Sequence, residues 1–201
     1  MNIWLERIFM GCSIYRIFAL SIFVPIALGY MIYTNRINLV RLTLNQMFCF
    51  YMCCLFALVF LPLPTMEAAA NLTYDVQWIP FYALYDIAVT RSAGAVFCLV
   101  FNIVMTIPFG MFLRYYMNMN LKQVLILGFA LTLFIEIGQF TGLFGMFHGS
   151  YRLCDVDDLI TNTLGTYIGY LMVARVESFI PVLSSFDLKT GFDVPALNIN
   201  A

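Results

Sequence analysis

The sequence predicts an all-α, polytopic integral membrane protein with about five transmembrane helices. Hydrophobic residues make up 63% of the 201 positions, charged residues make up 10%, and the mean hydropathy is +0.90. A soluble domain is about half apolar and about a quarter charged, so too few polar side chains remain here to cover a water-facing surface. The apolar runs lack the alternation of a strand, and a helix satisfies its own backbone in lipid, so helices are expected.

Five nearly uncharged stretches are the predicted helices, and they cover residues 17–33, 42–64, 92–113, 121–140 and 159 to at least 174. An extension of the fifth toward Val182 is the alternative, with the charged end of Arg175 reaching the interface. The fourth should end near Gly142, where a glycine-rich loop begins. The first has an alternative, because Arg7 and Arg16 precede it and "ALG" at 27–29 resembles a cleavage site, so residues 1–29 could instead be a signal peptide. We divide the chain into an N-terminal segment (1–41), a transmembrane domain (42–183) and a short polar tail (184–201).

The basic residues predict an orientation. In a five-span arrangement six of them fall on one side and four on the other, the four being Arg7, Arg16, Arg91 and Arg152. The positive-inside rule then places the N-terminus outside and the C-terminus in the cytoplasm. Loops 65–91 and 141–158 are therefore expected outside, and "WIPFY" at 78–82 suggests an aromatic belt at the bilayer surface or, alternatively, a lid over a ligand.

Several functional classes find no support in the sequence. No cluster of Lys and Arg suggests a nucleic-acid partner. Five of the six cysteines lie in apolar segments, and Cys154 alone lies in a polar loop, so neither a disulfide framework nor a zinc site is predicted. His148, the single histidine, lacks an orienting group for a dyad with Ser150 or Cys154. No cofactor is predicted.

Polar residues within apolar helices are functional candidates, because they are costly in lipid. Asn102 lies near the middle of the third helix, where Pro108 and Gly110 follow it. Glu136 and Gln139 are three residues apart and share one face of the fourth helix. The alternative role for these groups is hydrogen bonding between packed helices.

The stretch "RLCDVDDLITNTLG", residues 152–165, holds three carboxylates in four positions. If the fifth helix begins near Asp155, then Asp155, Asp158 and Asn162 share a face that the small residues Gly165 and Gly169 continue. Asp155 is also a good N-cap, and acids in the first turn complement the helix dipole.

The same acids admit a metal as an alternative. Asp155, Asp158 and Glu136 could supply hard oxygen ligands to a divalent cation. Our principal prediction is that the protein binds no metal. Arg152 is the nearest cation and could neutralise one carboxylate.

Three sequence elements resemble the VanZ-like family: "FNIVMTIPFG", "LFIEIGQF" and "YRLCDVDDLITNTLGTYIGYL", which occur in order between about residues 100 and 171. The family pattern runs Asn–apolar–Pro–Phe–Gly, then Glu–x–x–Gln, then Arg–x–x–Asp–x–Asp–Asp followed by Asn–Thr–x–Gly. The resemblance implies functional or structural roles for Asn102, Pro108, Phe109, Gly110, Glu136, Gln139, Arg152, Asp155, Asp157, Asp158, Asn162 and Gly165.

The resemblance implies a small multi-pass protein of the bacterial cytoplasmic membrane, with a four-helix unit to which the first helix is added. The family is associated with reduced susceptibility to teicoplanin. Since the predicted topology places Glu136, Asp155 and Asp158 toward the outer side of the membrane, we expect action there on a cell-wall precursor, a lipoglycopeptide or an envelope protein. The alternatives are an intramembrane enzyme that uses the clustered carboxylates on a lipid-linked substrate, and a small transporter. Binding is favoured over catalysis, because Arg152 is the only cation in sequence near the acids that could hold a phosphate.

Overall fold

A computed structural model describes residues 3–34, 36–65, 76–147, 150 and 152–189. Within them the helices of nine or more residues are α1 (Ile3–Phe18), α2 (Val24–Thr34), α3 (Leu39–Phe60), α4 (Tyr82–Thr90), α5 (Ala93–Tyr115), α6 (Leu121–Phe140) and α7 (Val156–Val176). A short helical segment, Gly142–Gly145, follows α6. A π-helical turn, Ala19–Phe23, joins α1 to α2, and a 3-10 turn covers Leu183–Phe186.

The strands of the described residues are two residues long and form two pairs. β1 (Arg36–Ile37) pairs antiparallel with β4 (Leu188–Lys189). β2 (Val76–Gln77) pairs in parallel with β3 (Cys154–Asp155), with Gln77 opposite Asp155. The second pair joins the two loops that the sequence places on one side of the membrane. The prediction of an all-α fold is confirmed.

The chain divides into two compact units, and the first comprises Met1–Leu58 with Ser178–Ala201. In it α1 packs closely on α3, since a Cβ on Gly11 would lie 2.8 Å from the Cα of Cys54. The Tyr15 hydroxyl donates to Gln46 Oε1 at 3.1 Å. Asn38 Nδ2 donates to the Leu183 carbonyl at 2.6 Å and thereby fastens the segment after residue 178.

The second unit, Val59–Glu177, contains α4 to α7 and carries the predicted site. Local sequence signals begin its helices: Ser92 caps α5, and a capping box of Asn120 and Gln123 opens α6. Arg114 and Glu177 form an ion pair at 2.5 Å, which joins the last turn of α5 to the end of α7.

The fourth predicted helix is confirmed at both ends, and Gly142, with a φ of 63°, follows shortly after its last residue. The other later helices agree within about four residues. Prediction and structure differ at the end of α3, which stops at Phe60 before Pro62 and Pro64, because proline cannot continue a helix.

The predicted start of the first helix, at residue 17, is wrong. Helical structure begins at Ile3 and continues to Thr34 through the π-helical turn. Followed toward the N-terminus, the uncharged run stops at Arg16, but the helix continues because its backbone hydrogen bonds do not require apolar side chains. Arg7 lies within this helix and donates from Nη1 to the Leu58 carbonyl at 3.1 Å.

Four helical stretches of the described residues are long and apolar enough to cross a membrane: Leu5–Tyr30, Leu39–Phe60, Ala93–Tyr115 and Leu121–Phe140. The chain is therefore a polytopic, all-α membrane protein. The predicted fifth span, α7, has 21 residues and is not among these four stretches. The sequence domains 1–41, 42–183 and 184–201 stay a prediction, as does the signal-peptide alternative.

Candidate functional site

A column of polar residues runs through the packing of α5, α6 and α7. Each helix contributes residues four apart, which lie on one face of a helix. These are Asn102, Thr106 and Gly110 from α5, then Glu136, Thr132 and Gly128 from α6, then Asp158, Asn162 and Thr166 from α7. We call this set the polar column and describe its three layers in turn.

The first layer consists of Asn102, Glu136 and Asp158. Asn102 Nδ2 donates a short hydrogen bond to Asp158 Oδ1. Glu136 is 2% exposed and lies within electrostatic range of Asp158. Neither acid has a cation within ion-pair distance in the part of the chain that the structure describes, although the charge of Arg152 reaches Asp158 over a longer distance.

The middle layer consists of Thr106, Thr132 and Asn162, all of them almost fully buried. Asn162 Nδ2 donates to Thr132 Oγ1 at 3.0 Å, and Thr106 Oγ1 donates to the Asn162 carbonyl at 2.8 Å. Asn162 Oδ1 is buried and has no hydrogen-bond partner among the described residues. A buried carbonyl oxygen without a donor costs about 1–3 kcal/mol, which makes this atom a candidate contact for a ligand or a water.

The third layer brings the backbones together. A Cβ on Gly128 would lie 2.7 Å from Thr166 Cγ2, and one on Gly110 would overlap the Thr166 carbonyl. Gly165 and Gly169 lie equally close to the α5 backbone, at the carbonyls of Ile103 and Ile107. The absence of a side chain at these glycines lets α5 and α7 approach closely enough for the hydrogen bonds of the middle layer. Pro108 and Phe109 lie within the same stretch of α5.

Asp155 and Asp157 lie outside the polar column and organise the start of α7. Asp155 is the N-cap of α7, and its Oδ1 accepts from the Asp157 amide at 2.9 Å. Because the backbone of Asp155 is extended and α7 begins at Val156, Asp155 does not share the helical face on which we expected it with Asp158 and Asn162. Asp157 is 5% exposed and accepts from the amides of Phe81 and Ala83 at 2.5 and 2.7 Å. Asp157 thus holds the N-terminus of α4.

β3 connects this capping region to the column. Glu136 Oε2 accepts from the Asp155 amide at 3.1 Å. Burial raises the pKa of the Asp155 carboxyl. Burial, followed by the charge of Glu136, raises the pKa of the Cys154 thiol to about 11, so this thiol is protonated at neutral pH.

Gln139 and Arg152 meet at the C-terminus of α3. Gln139 Nε2 and Arg152 Nη1 donate to the same carbonyl, that of Val59, at 2.9 and 2.8 Å. Ser150 Oγ completes this group by donating to the Arg152 carbonyl at 2.5 Å. The last carbonyls of a helix lack intrahelical donors and carry partial negative charge, which Arg152 complements.

The structure therefore divides the predicted site residues between two roles. Asn102, Glu136, Asp158 and Asn162 come together in the column, whereas Gln139, Arg152, Asp155 and Asp157 fasten the segments around it. The alternative of a divalent-metal site from Asp155, Asp158 and Glu136 is not found: no group of three His, Cys, Asp or Glu side chains within the described ranges has such an arrangement. His148 lies outside these ranges.

Sequence reasoning missed the three threonines of the column, Thr106, Thr132 and Thr166. The signal was present, because each lies four residues from a motif residue on its own helix. Threonine is common in membrane helices, however, and only a second helix at the same depth distinguishes these from the others. The Val59 carbonyl could not have been found from the sequence, because every residue has a backbone carbonyl and residue type does not indicate which one accepts a side-chain hydrogen bond.

A comparison with family models matches residues 48–177, well over half of the chain, to a family described as VanZ/LLP1. The match covers α4 to α7 and the second half of α3, and so includes the whole polar column. A search of curated proteins and a search of solved structures each found no match.

Proposed function

The chain belongs to the VanZ/LLP1 family, and from this premise we propose that it acts at the outer side of the bacterial cytoplasmic membrane. There, its polar column binds an envelope ligand and lowers susceptibility to teicoplanin or related lipoglycopeptides. The ligand is a cell-wall precursor or the lipoglycopeptide itself, or an envelope protein that carries the same chemical groups.

The unpartnered Asn162 Oδ1 is the observation that supports this proposal best. The atom is buried, and Asp158 and Glu136, one turn away on α7 and α6, also present acceptor oxygens. Acceptors outnumber donors here, so a ligand that brings ammonium, amide or hydroxyl hydrogens would satisfy them. Amines, amides and hydroxyls are the polar groups of cell-wall precursors and glycopeptides.

The position of the acids within the second unit suggests the direction of approach. Asp158 lies in the first turn of α7 and Glu136 in the last turns of α6, so both are near the end where β2 pairs with β3. The loops at this end are those that the distribution of Lys and Arg assigns to the outside. A ligand in the outer leaflet would reach Asp158 first, because this residue is only half-buried.

Teicoplanin susceptibility of a bacterium that expresses Glu136→Gln or Asp158→Asn tests the proposal. Both substitutions keep the size of the side chain and replace the carboxyl group by an amide. Loss of one hydrogen bond between the column and the ligand costs about 0.5–1.5 kcal/mol, or up to about tenfold in affinity, so the inhibitory concentration should fall toward that of cells without the protein.

Glu177→Gln is the matched control, since Glu177 is an exposed acid at the other end of the same helix bundle. All variants must reach the wild-type level in the membrane, as measured by immunoblotting of a tag. Wild-type inhibitory concentrations for both column variants would refute the role of the column. A wild-type protein that changes no susceptibility would refute the link to teicoplanin.

The orientation is tested separately by labelling single cysteines in intact cells with an impermeant maleimide. Residue 153, which is exposed at the end that carries the acids, should react from outside, and residue 118, in the link between α5 and α6, should not. The reverse labelling pattern would place the polar column at the cytoplasmic side and refute the proposed approach of the ligand.

A further inference from the structure

We propose that residues 78–90, which we call the aromatic segment, form an anchor in the interfacial layer of the bilayer, with their side chains among lipid headgroups and the upper acyl chains. The segment comprises α4 and the four residues before it. This inference concerns the lipid contact of the protein and does not depend on the proposed ligand.

The first argument is exposure. Most of the large apolar side chains of the segment project from the second unit, namely Trp78, Ile79, Phe81, Tyr82, Leu84, Tyr85 and Val89. Trp78 is 73% exposed. A contiguous apolar surface of this kind is unfavourable in water and marks a contact with lipid or with a partner. Trp and Tyr favour the interface, where the ring is in an apolar medium and the polar atom remains near water.

The second argument is position. α4 ends at Thr90, and α5, which is long and apolar enough to cross a membrane, begins at Ala93. α4 therefore lies where α5 leaves the hydrocarbon. Its nine residues rise about 14 Å, roughly half of the 30 Å of a bilayer core, so α4 cannot span. Phe97 and Val100, in the first turns of α5, are exposed as well.

The third argument is the state of the α4 backbone. The first amides of a helix lack partners, and in a layer poor in water they need them. The Asp157 carboxylate accepts from the amides of Phe81 and Ala83, one to each oxygen, and its negative charge complements the positive end of the helix dipole. Phe81 has a φ of 63°, a conformation that non-glycine residues adopt only where contacts enforce it. Asp157 thus fixes the aromatic segment to α7 at the depth of the interface.

The chain has two tryptophans, Trp4 and Trp78, so Trp4→Phe leaves Trp78 as the only tryptophan fluorophore. The variant is reconstituted in phosphatidylcholine vesicles that contain lipids brominated either near the headgroup or near the end of the acyl chain. We expect the shallow bromine to quench Trp78 about twofold more than the deep one, and aqueous acrylamide to quench it several-fold less than a free tryptophan amide.

Trp78→Phe is the matched control. Subtracting its signal from that of the wild type gives the Trp78 contribution even if Trp4→Phe does not accumulate. Acrylamide quenching equal to that of the free amide, with no effect of either brominated lipid, would place the segment in water and overturn the proposal. Stronger quenching by the deep bromine would overturn it as well, since the segment would then lie in the hydrocarbon.

Asp157→Asn tests the anchor. An uncharged amide accepts from backbone N–H groups more weakly, so acrylamide quenching of Trp78 should rise about twofold as the segment moves toward water. Unchanged quenching in Asp157→Asn would overturn the role of Asp157 as the group that holds the segment at the interface.

Discussion

Replacing Gly165 with alanine is expected to lower the free energy of unfolding by about 1.5–4.5 kcal/mol. The new Cβ would lie well under 3.0 Å from the Ile103 carbonyl oxygen and from Thr106 Oγ1. The first is a backbone atom and cannot rotate away, so α5 and α7 must separate by roughly 1 Å to restore ordinary contact. Overpacking of this kind costs about 1–3 kcal/mol.

The separation should also lengthen the hydrogen bond from Thr106 Oγ1 to the Asn162 carbonyl, which is 2.8 Å in the native protein. Its loss adds about 0.5–1.5 kcal/mol, which brings the total to the stated range. The free energy is measured by reversible unfolding of the purified protein in mixed micelles of a mild detergent and dodecyl sulfate, followed by tryptophan fluorescence.

Gly29→Ala is the matched control, because Gly29 also lies within a helix and a Cβ there would meet nothing within 4 Å. Its stability should stay within about 0.5 kcal/mol of the wild type. If Gly165→Ala were as stable as Gly29→Ala, the close approach of α5 and α7 would be refuted, and with it the geometry of the middle layer.

Asn162→Leu should change the free energy of unfolding by less than about 1 kcal/mol, because the lost hydrogen bond to Thr132 is offset by removal of an unpartnered buried oxygen. The same variant should abolish protection from teicoplanin. Destabilisation above about 2 kcal/mol in micelle unfolding would contradict the first expectation. Asp157→Asn should raise hydrogen exchange of the Phe81 and Ala83 amides, which Asp157 binds, about tenfold, as measured by mass spectrometry. Equal exchange rates would show that water or other groups satisfy these amides. In a variant that retains only Cys154, alkylation of this thiol should be about 100-fold slower at pH 8 than alkylation of a thiol of ordinary pKa, because burial and the charge of Glu136 favour the protonated thiol. The alkylation rate should still be rising at pH 10. A rate that levels off near pH 9 would contradict the raised pKa.

Local sequence predicted those features that depend on one helix at a time. The bounds predicted for the fourth helix, 121–140, match the structure, in which Asn120 and Gln123 form a capping box at its start and Gly142 follows its end. The N-cap role of Asp155 was equally local. Where apolar composition was the only signal, as at the start of α1, the prediction was wrong, since a helix can continue through charged residues.

The sequence by itself determined that this protein is a polytopic all-α membrane protein of the VanZ/LLP1 family, because apolar composition and the order of short motifs are properties of the chain alone. Only the tertiary structure decided which motif acids act together. Asp157 and Asp158 are adjacent in sequence, but successive helical residues point about 100° apart, so Asp157 faces α4 while Asp158 faces Asn102 on α5. That choice depends on which helices pack around α7, and no spacing within a single segment contains it.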